Sequence, residues 1–411
     1  MTLATTGLDW KAIADSWEKV PCTIRGGAPV TLSRAYDAIA TASAPFRSGT
    51  RVRTLPDVRF SVQGGLLRAP GDLLPGRDEA GLHRYLDRLE KRLSGEGYLL
   101  AVEAPQVLDF TLWSGVHDAT SGLWRYLGTP VLPVSSTLLV GDGFTRHEDL
   151  TEPGTHATLT WVLQGSMRVR LWDQELGAVP AAVLDATEPP AGTVELEATA
   201  GELVSWPSRF RYADTYHDRC VVLRLQVPTD PAQVAIAVRD LLVDVLGKEL
   251  ERYDAVPYLP VPAAQDGVIG TVPPLRETAA AIRAALADSN LNRILRITWA
   301  SRRSAGSIEP VPPARDASVL KHRDRILRCA EIIRIPDGPG RSVWAVNGHV
   351  FQVGGGAGDR ILEQLRPDRE IGVDELCREL GVGAGDDGVL ALLRKLYALR
   401  GIRRAGEECR G

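Results

Sequence analysis

Cysteine and histidine are scarce in this chain, and the cysteines that are present are scattered. There are 5 Cys and 7 His among 411 residues. No two cysteines form a Cys-x-x-Cys pair, which excludes the common zinc and thiol-redox motifs. We therefore expect reduced core or surface thiols, and few side chains are available as metal ligands. The five cysteines are Cys22, Cys220, Cys329, Cys377 and Cys409.

Long hydrophobic runs and a surplus of positive charge are also missing. No apolar run reaches the ~18 residues that a membrane span requires. The N-terminus lacks the basic and apolar segments of a secretory signal, so a cytoplasmic location is predicted. A formal net charge of -4 argues against nucleic-acid binding by the whole protein. With 44% hydrophobic and 24% charged residues, the composition is that of a globular protein, and the length predicts two or three domains.

The stretch from Val131 to Pro228 consists of short alternating apolar segments separated by Gly, Pro, Asp and Glu. This rhythm is typical of an antiparallel double sheet of the jelly-roll or cupin-like kind, a double-stranded β-helix. Helical patterns at 8–20, at 32–44 and before Gly95 precede this block and are mixed with strands. The fold class predicted for residues 1–228 is therefore α+β and not a doubly wound sheet.

The remainder of the chain predicts two further regions. Residues 229–325 contain helical patterns at 230–254 and 275–300, a Pro/Gly-rich linker between them, and a polar stretch expected to be a loop of low order. Residues 326–411 predict strands at 332–335, 343–346, 349–353 and 402–404, with a hairpin turn at Asn347-Gly348. Three short helices lie between the last two of these strands, so this region is interpreted as a winged-helix-like domain.

Three residues in the strand block could form a metal site. His147 and Asp149 make a His-x-Asp pair, and positions i and i+2 of a strand project to one face. His217 could complete a set of two histidines and one carboxylate, which is suited to a mononuclear iron centre with open positions. His156 is an alternative third ligand. The pair could instead lie in a solvated turn, and His217 could lie at an exposed hairpin tip.

Three segments of the chain resemble the JmjC-like ribosomal oxygenases of the cupin superfamily. SWEKVPCTIRG is similar to the lead-in of that family to its first strand. GFTRHEDL followed by WVLQGSMRVRLW resembles its His-x-Asp strand and Gln-Gly turn, and GELVSWPSRF resembles the strand that leads to its last ligand. The resemblance implies a JmjC/cupin-like domain, Fe(II) bound by His147, Asp149 and His217, 2-oxoglutarate as cosubstrate, and hydroxylation of a protein or peptide side chain.

The chain departs from that family at two positions that matter for the chemistry. The family places its last histidine five residues after the proline of this strand, and here that position is Tyr212. It places a 2-oxoglutarate-binding Lys or Arg two residues after the glycine of the turn, and here that position is Met167. Tyr212 could serve as a phenolate ligand, although a phenol pKa of about 10 makes this costly without the metal.

Arg224 is the strongest candidate anchor for a carboxylate cosubstrate. It lies in the otherwise apolar strand CVVLRLQV, and a buried arginine requires a paired anion. That anion could be 2-oxoglutarate or a glutamate such as Glu202, and Arg224 could instead occupy an edge position that faces water. Arg168 is a second cation, on a neighbouring predicted strand, although most residues of this kind lie on a solvated face.

The departures support a second hypothesis, a metal-free protein that acts as a peptide-binding scaffold or as a partner in peptide natural-product tailoring. A tyrosine at 212 that points into the barrel and is hydrogen-bonded there would favour this hypothesis. A DNA-binding regulator is a third, disfavoured because the middle helix of the C-terminal region, VDELCREL, is acidic. The predicted partners are a protein or peptide and a second copy of the chain, with no membrane.

Overall fold

A computed structural model describes residues 8–49, 55–76, 79–147, 154–173, 192–239, 279–280, 282–283, 288–354, 357–383 and 386–407. The helices are α1 (Trp10–Ser16), α2 (Leu32–Arg47), α3 (Leu82–Leu93), α4 (Phe110–Leu127), α5 (Asp288–Ser304), α6 (Ala357–Gln364), α7 (Val373–Glu379) and α8 (Asp387–Ala398), and residues 231–239 are also helical.

The first ten strands belong to one antiparallel sheet. They are β1 (Cys22–Arg25), β2 (Asp57–Val62), β3 (Gly65–Leu66), β4 (Tyr98–Glu103), β5 (Ser135–Asp142), β6 (Phe144–His147), β7 (His156–Asp173), β8 (Val194–Thr199), β9 (Glu202–Trp206) and β10 (Phe210–Pro228). Their order is β1-β9-β7-β10-β5-β4-β2-β3, with β6 paired to β10 and β8 paired to β7. This is a mixed α/β protein with a large antiparallel sheet, as expected for a cupin-like core.

The two longest strands divide the sheet into two halves that face each other. β7 and β10 pair along nearly their whole length, with register shifts between His217 and Val222. At one end of this pair, β10 is hydrogen-bonded to β5 and β7 to β9, and β4, β2 and β1 extend the sheet from there. At the other end, β10 is hydrogen-bonded to β6 and β7 to β8. Residues from both halves meet in one buried apolar cluster that includes Val222 and Met167. The sheet therefore forms a barrel, and the cluster is its interior.

The paired strands β7 and β10 bend between the two halves of the sheet, and this bend depends on Gly165. Its φ is 71°, and a Cβ there would lie 2.6 Å from the carbonyl oxygen of Asp218. On the facing strand, Asp218 and Arg219 have φ values of 57° and 54°. Only a residue without a side chain allows the two backbones to approach this closely.

Helices α1 to α4 cover the outer face of the larger half of the sheet. The core between them is formed by outward-facing strand residues such as Trp161 and Leu223 and by helical residues such as Tyr85 and Trp113. α4 was not predicted from the sequence, because its apolar residues are separated by Gly, Ser and Thr. Its start is stabilised by Asp109, whose carboxylate accepts hydrogen bonds from the backbone N–H groups of residues 111 and 112.

The polar stretch after residue 304 is ordered, contrary to the expectation of a loop of low order. Ile308 is fully buried, and the Trp113 indole donates a hydrogen bond of 3.1 Å to its carbonyl oxygen. The amide of Gln106 donates to the carbonyl of Glu309 at 3.1 Å. Hydrophilic composition suggested mobility, but these contacts attach the segment to the N-terminal helices.

The C-terminal region contains two three-stranded sheets. β12 (Ile333–Pro336), β13 (Arg341–Val346) and β14 (His349–Gly354) form one, and β15 (Ile371–Gly372), β11 (Arg325–Arg328) and β16 (Ile402–Arg404) form the other. Asn347 and Gly348 both have positive φ and connect β13 to β14, which confirms the predicted hairpin. The three helices α6 to α8 also form where they were predicted. The winged-helix interpretation and the three domain boundaries stay predictions.

Three predicted features fall mainly outside the described residues: the linker after residue 254, the second half of the 230–254 helix and the first half of the 275–300 helix. In the part of the chain that is described, no helix is long and apolar enough to cross a membrane.

Replacing Gly165 with alanine should destabilise the protein by about 2–5 kcal/mol, since the new methyl group adds a clash to the cost of a positive φ. Chemical denaturation measures the loss. Gly201→Ala is the matched control, because Gly201 has a φ of 89° but open space where a Cβ would lie. The Gly201→Ala variant should lose only the stability that corresponds to a positive φ in a residue with a side chain, roughly 1–2 kcal/mol. Equal losses in the two variants would contradict the role given to the close approach.

Candidate functional site

Strand alternation decides which side chains enter the barrel. On β10, Tyr212 and Tyr216 belong to the interior cluster, and Asp214 between them faces the same way. On β6, Phe144 lies opposite Tyr216 and Arg146 lies opposite Asp214. Because directly opposed residues share a face, Arg146 also projects toward the interior.

A buried ion cluster fills the centre of the barrel. The carboxylate of Asp214 is fully buried and forms an ion pair with Arg224, which is 1% exposed. Its other oxygen lies 3.5 Å from Nε of Arg146. The Tyr216 hydroxyl donates to Asp214 Oδ2 at 2.8 Å, and Arg146 donates to the Tyr212 hydroxyl oxygen at 2.7 Å.

Aromatic rings and a hydroxyl complete the surroundings of Arg224. Its guanidinium carbon lies 5.3 Å from the ring centroids of both Trp206 and Tyr212. Nε donates to the Thr160 hydroxyl at 3.1 Å. Cation-π contacts of this kind favour a guanidinium in a desolvated site.

The cluster carries one carboxylate and two guanidiniums. Burial would raise the pKa of the Asp214 carboxyl, but Arg224, Arg146 and the Tyr216 hydroxyl outweigh this effect and hold that pKa below its usual value. Burial, together with Asp214, raises the pKa of Tyr216 well above its usual value. Asp214 is therefore ionised and Tyr216 neutral at pH 7, so the cluster has a surplus of one positive charge.

The described residues do not bring the predicted metal set together. His147 lies opposite Ala213 and so shares the outer face with Thr145, whose hydroxyl bonds Thr215 at an exposed position. His217 is exposed beside the bulge. Asp149 lies outside the described residues. Among those described, no group of three His, Cys, Asp or Glu side chains is arranged to hold a metal.

The other predicted site residues also have definite positions. Tyr212 is 4% exposed and points into the barrel. Met167 is buried in the interior cluster. Arg168 lies on the outer face, in ion pairs with Glu195 at 3.1 Å and Glu197 at 2.8 Å, so it does not line the interior. His156 begins β7, where its Nδ1 lies 2.8 Å from the Thr155 hydroxyl.

Arg224 is buried and paired with an anion, as predicted, but Glu202, one of the suggested partners, is not that anion. Glu202 instead pairs with Arg25 at 3.3 Å, and the partner of Arg224 is Asp214. Sequence reasoning missed Asp214 and Arg146. The period-two run Tyr212, Asp214, Tyr216 was an available signal, but ten residues separate Asp214 from Arg224 on the same strand, and only the bend brings them together.

The described interior does not fit a divalent metal. Its carboxylate is already paired with two cations. The other groups of the described interior include phenols, a threonine hydroxyl and the thiol of Cys220, and burial raises the pKa of that thiol and so disfavours the thiolate that a metal would need. A metal dication here would be repelled by two positive charges at contact distance. A carboxylate ligand would be attracted instead, because the cluster has a surplus of one positive charge.

Comparisons with known proteins return only distant structural likenesses. No protein-family model matches the chain, and no curated protein sequence matches it. A structure of YcfD, a ribosomal oxygenase from Escherichia coli, is similar with a TM-score of 0.49 and 14% identity over 98% of this chain and 99% of that one.

Two further solved structures extend the comparison. YcfD in complex with cobalt and 2-oxoglutarate gives a TM-score of 0.47 at 14% identity, again over 98% of this chain and 99% of that one. An oxalate decarboxylase from Lactobacillus farciminis, as a formate complex, matches 33% of this chain and 29% of that one, with 15% identity and a TM-score of 0.19. These likenesses are too distant to transfer an activity.

Replacing Asp214 with asparagine should cost about 3–5 kcal/mol of folding free energy, because it leaves two guanidiniums in the barrel without a counter-charge. Equilibrium denaturation at pH 7 measures this. Glu195→Gln removes a carboxylate from the exposed ion pairs of the same sheet and should cost no more than about 1 kcal/mol.

The pH dependence of the folding stability of the same variant tests the direction of the pKa shift of Asp214. Since the folded pKa of Asp214 is below the unfolded value of ~3.9, its carboxylate stabilises the protein above that pH, and the contribution disappears as the pH falls toward the folded pKa. Asp214→Asn should lose that part of the acid dependence. An acid profile identical to that of the wild type would contradict the assignment.

Proposed function

We propose that this protein is a metal-free, barrel-containing binding protein whose partner is a peptide. The observation that carries the proposal is the Arg146–Asp214–Arg224 cluster, with Tyr212 hydrogen-bonded inside the barrel. This is the condition under which the sequence favoured the metal-free hypothesis over an iron centre. Two guanidiniums and a paired carboxylate are suited to recognise a charged ligand and not to coordinate a metal ion.

A groove in the C-terminal region supports a peptide partner. β14 pairs only with β13 in the described structure, so its other edge has backbone groups available for a further strand. Residues of β14, α6 and α8 line a groove of about 540 Å³, and among them are Val353, Ile361, Val389, Leu392 and Lys395. An extended peptide that joins a sheet edge and inserts alternate side chains into such a groove is a known mode of recognition.

The second candidate is the Fe(II)/2-oxoglutarate oxygenase that hydroxylates a protein or peptide side chain. The surplus positive charge favours it, since a carboxylate cosubstrate would be attracted to Arg224. It would require His147, Asp149 and His217 to converge on iron, and a homodimer also belongs to this hypothesis. Both candidates predict a peptide partner, and they differ in metal binding.

Metal binding separates the two candidates. Anaerobic calorimetric titration with Fe(II), Mn(II) or Co(II) should detect no stoichiometric binding to the wild-type chain, because the described interior repels dications. His147→Ala should behave identically. Stoichiometric binding that is lost in His147→Ala, together with conversion of 2-oxoglutarate to succinate, would reject the metal-free proposal in favour of the oxygenase.

Peptide binding to the groove can be tested with a displayed library of random extended peptides. We expect selected peptides to bind the full chain, with Leu392→Arg weakening binding by about tenfold or more, because the substitution places a charge among the apolar residues that line the groove. Val319→Arg is the control, since Val319 is an exposed apolar residue outside the groove. Peptides that bind both variants as they bind the wild type would refute this location.

A further inference from the structure

A polar cavity lies between α2, the start of α4 and the turn after α8. Its volume is about 430 Å³, within the usual size of a small-molecule site. The residues that α2 contributes are Arg34, Asp37, Ala38 and Thr41, which share one helix face at positions i, i+3, i+4 and i+7. Arg400 reaches the same cavity from the C-terminal region. Segments that are far apart in the chain therefore meet around this space.

Arg400 is a cation of this cavity that forms no ion pair with a described residue. Its guanidinium carbon lies 4.3 Å from the centroid of the Phe110 ring, and Nη1 donates to the carbonyl oxygen of Pro313 at 2.9 Å. Nε is buried without an acceptor, and Nη2 donates no hydrogen bond within the described structure. Burial and the guanidinium of Arg315 lower the pKa of Arg400, and the opposing effect of Asp109 is smaller. The surroundings of Arg400 thus lack the counter-charge that a partly buried cation requires.

The two carboxylates of the cavity differ in how far they are already engaged. Asp109 accepts hydrogen bonds from the backbone N–H groups of residues 111 and 112 and forms an ion pair with Arg34 at 3.2 Å. Asp37 is exposed and has no hydrogen bond or ion pair with a described residue. Because the charges of Arg34 and Asp109 cancel, Arg400 and Asp37 are left as one cation and one anion, each without a partner.

We propose that this cavity binds a free aliphatic amino acid in its zwitterionic form, with the ligand carboxylate against Arg400 and the ligand ammonium against Asp37. A guanidinium is suited to a carboxylate, and an ammonium group donates hydrogen bonds to a carboxylate. A simple anion would satisfy Arg400 but would be repelled by Asp37 and Asp109. Ala38 and Leu108, which is 42% exposed, offer apolar contact to an aliphatic side chain.

The cavity shares no lining residue with the C-terminal groove or with the ion cluster of the barrel. The inference therefore does not depend on the function proposed above, and the experiments that test the two are separate.

Calorimetric titration of the full-length protein with L-leucine tests the inference, at about pH 6, where an α-amino group is protonated. Leucine should bind saturably and should raise the thermal unfolding temperature. N-acetylleucine keeps only the carboxylate, and leucinamide keeps only the ammonium group. Each of these blocked forms should bind about tenfold or more weakly than leucine, through loss of one charge-assisted contact.

Two variants assign each end of the ligand. Asp37→Asn and Arg400→Gln should each weaken leucine binding about tenfold or more. Asp37→Asn should also lose the preference for leucine over N-acetylleucine, and Arg400→Gln the preference for leucine over leucinamide, which a general loss of structure would not produce. Asp15→Asn is the matched control, because Asp15 is an exposed helical aspartate outside the cavity, and it should bind leucine as the wild type does.

Three results would overturn the inference. They are the absence of saturable leucine binding, binding of either blocked form as tightly as leucine, and an affinity for leucine that neither Asp37→Asn nor Arg400→Gln changes. Since Asp37 is exposed, Asp37→Asn should fold as the wild type does, and thermal unfolding without ligand checks this.

Discussion

The barrel depends on one carboxylate, that of Asp214, held between two guanidiniums. It joins the half of the sheet that carries β6 to the half that carries Thr160 and Arg224. In a desolvated interior such an ion pair is strong only while both signs are present, and removal of either partner leaves a charge that water cannot reach. The same interaction therefore links the two halves of the fold and sets the charge of the interior.

That contact exists because β10 bends. Asp214 and Arg224 lie on one strand, and in a straight strand ten residues would separate their side chains by about 33 Å. Gly165 on β7 and the left-handed residues Asp218 and Arg219 on β10 allow the paired strands to fold back. A backbone requirement at one glycine thus determines which side chains meet in the interior, and through them what the interior can bind.

The same bend explains how far the candidate site could be predicted. The burial of Arg224 could be predicted because Arg224 is the one cation in an otherwise apolar strand, and that pattern is local. The metal set assumed that His147 faces inward, and a His-x-Asp spacing establishes only that the two side chains share a face, not which face it is. Pairing of β6 with β10 decides this, and it directs Arg146 inward and His147 outward.

The sequence by itself determined the local features: the alternating strands, the Asn347-Gly348 hairpin, the C-terminal helices and the need of Arg224 for an anion. These follow from backbone preferences and side-chain polarity within a few residues. Tertiary structure decided which anion Arg224 meets, which face His147 takes and why the polar segment around Ile308 is buried. Those outcomes depend on strand register and on packing between residues far apart in the chain, which no local pattern records.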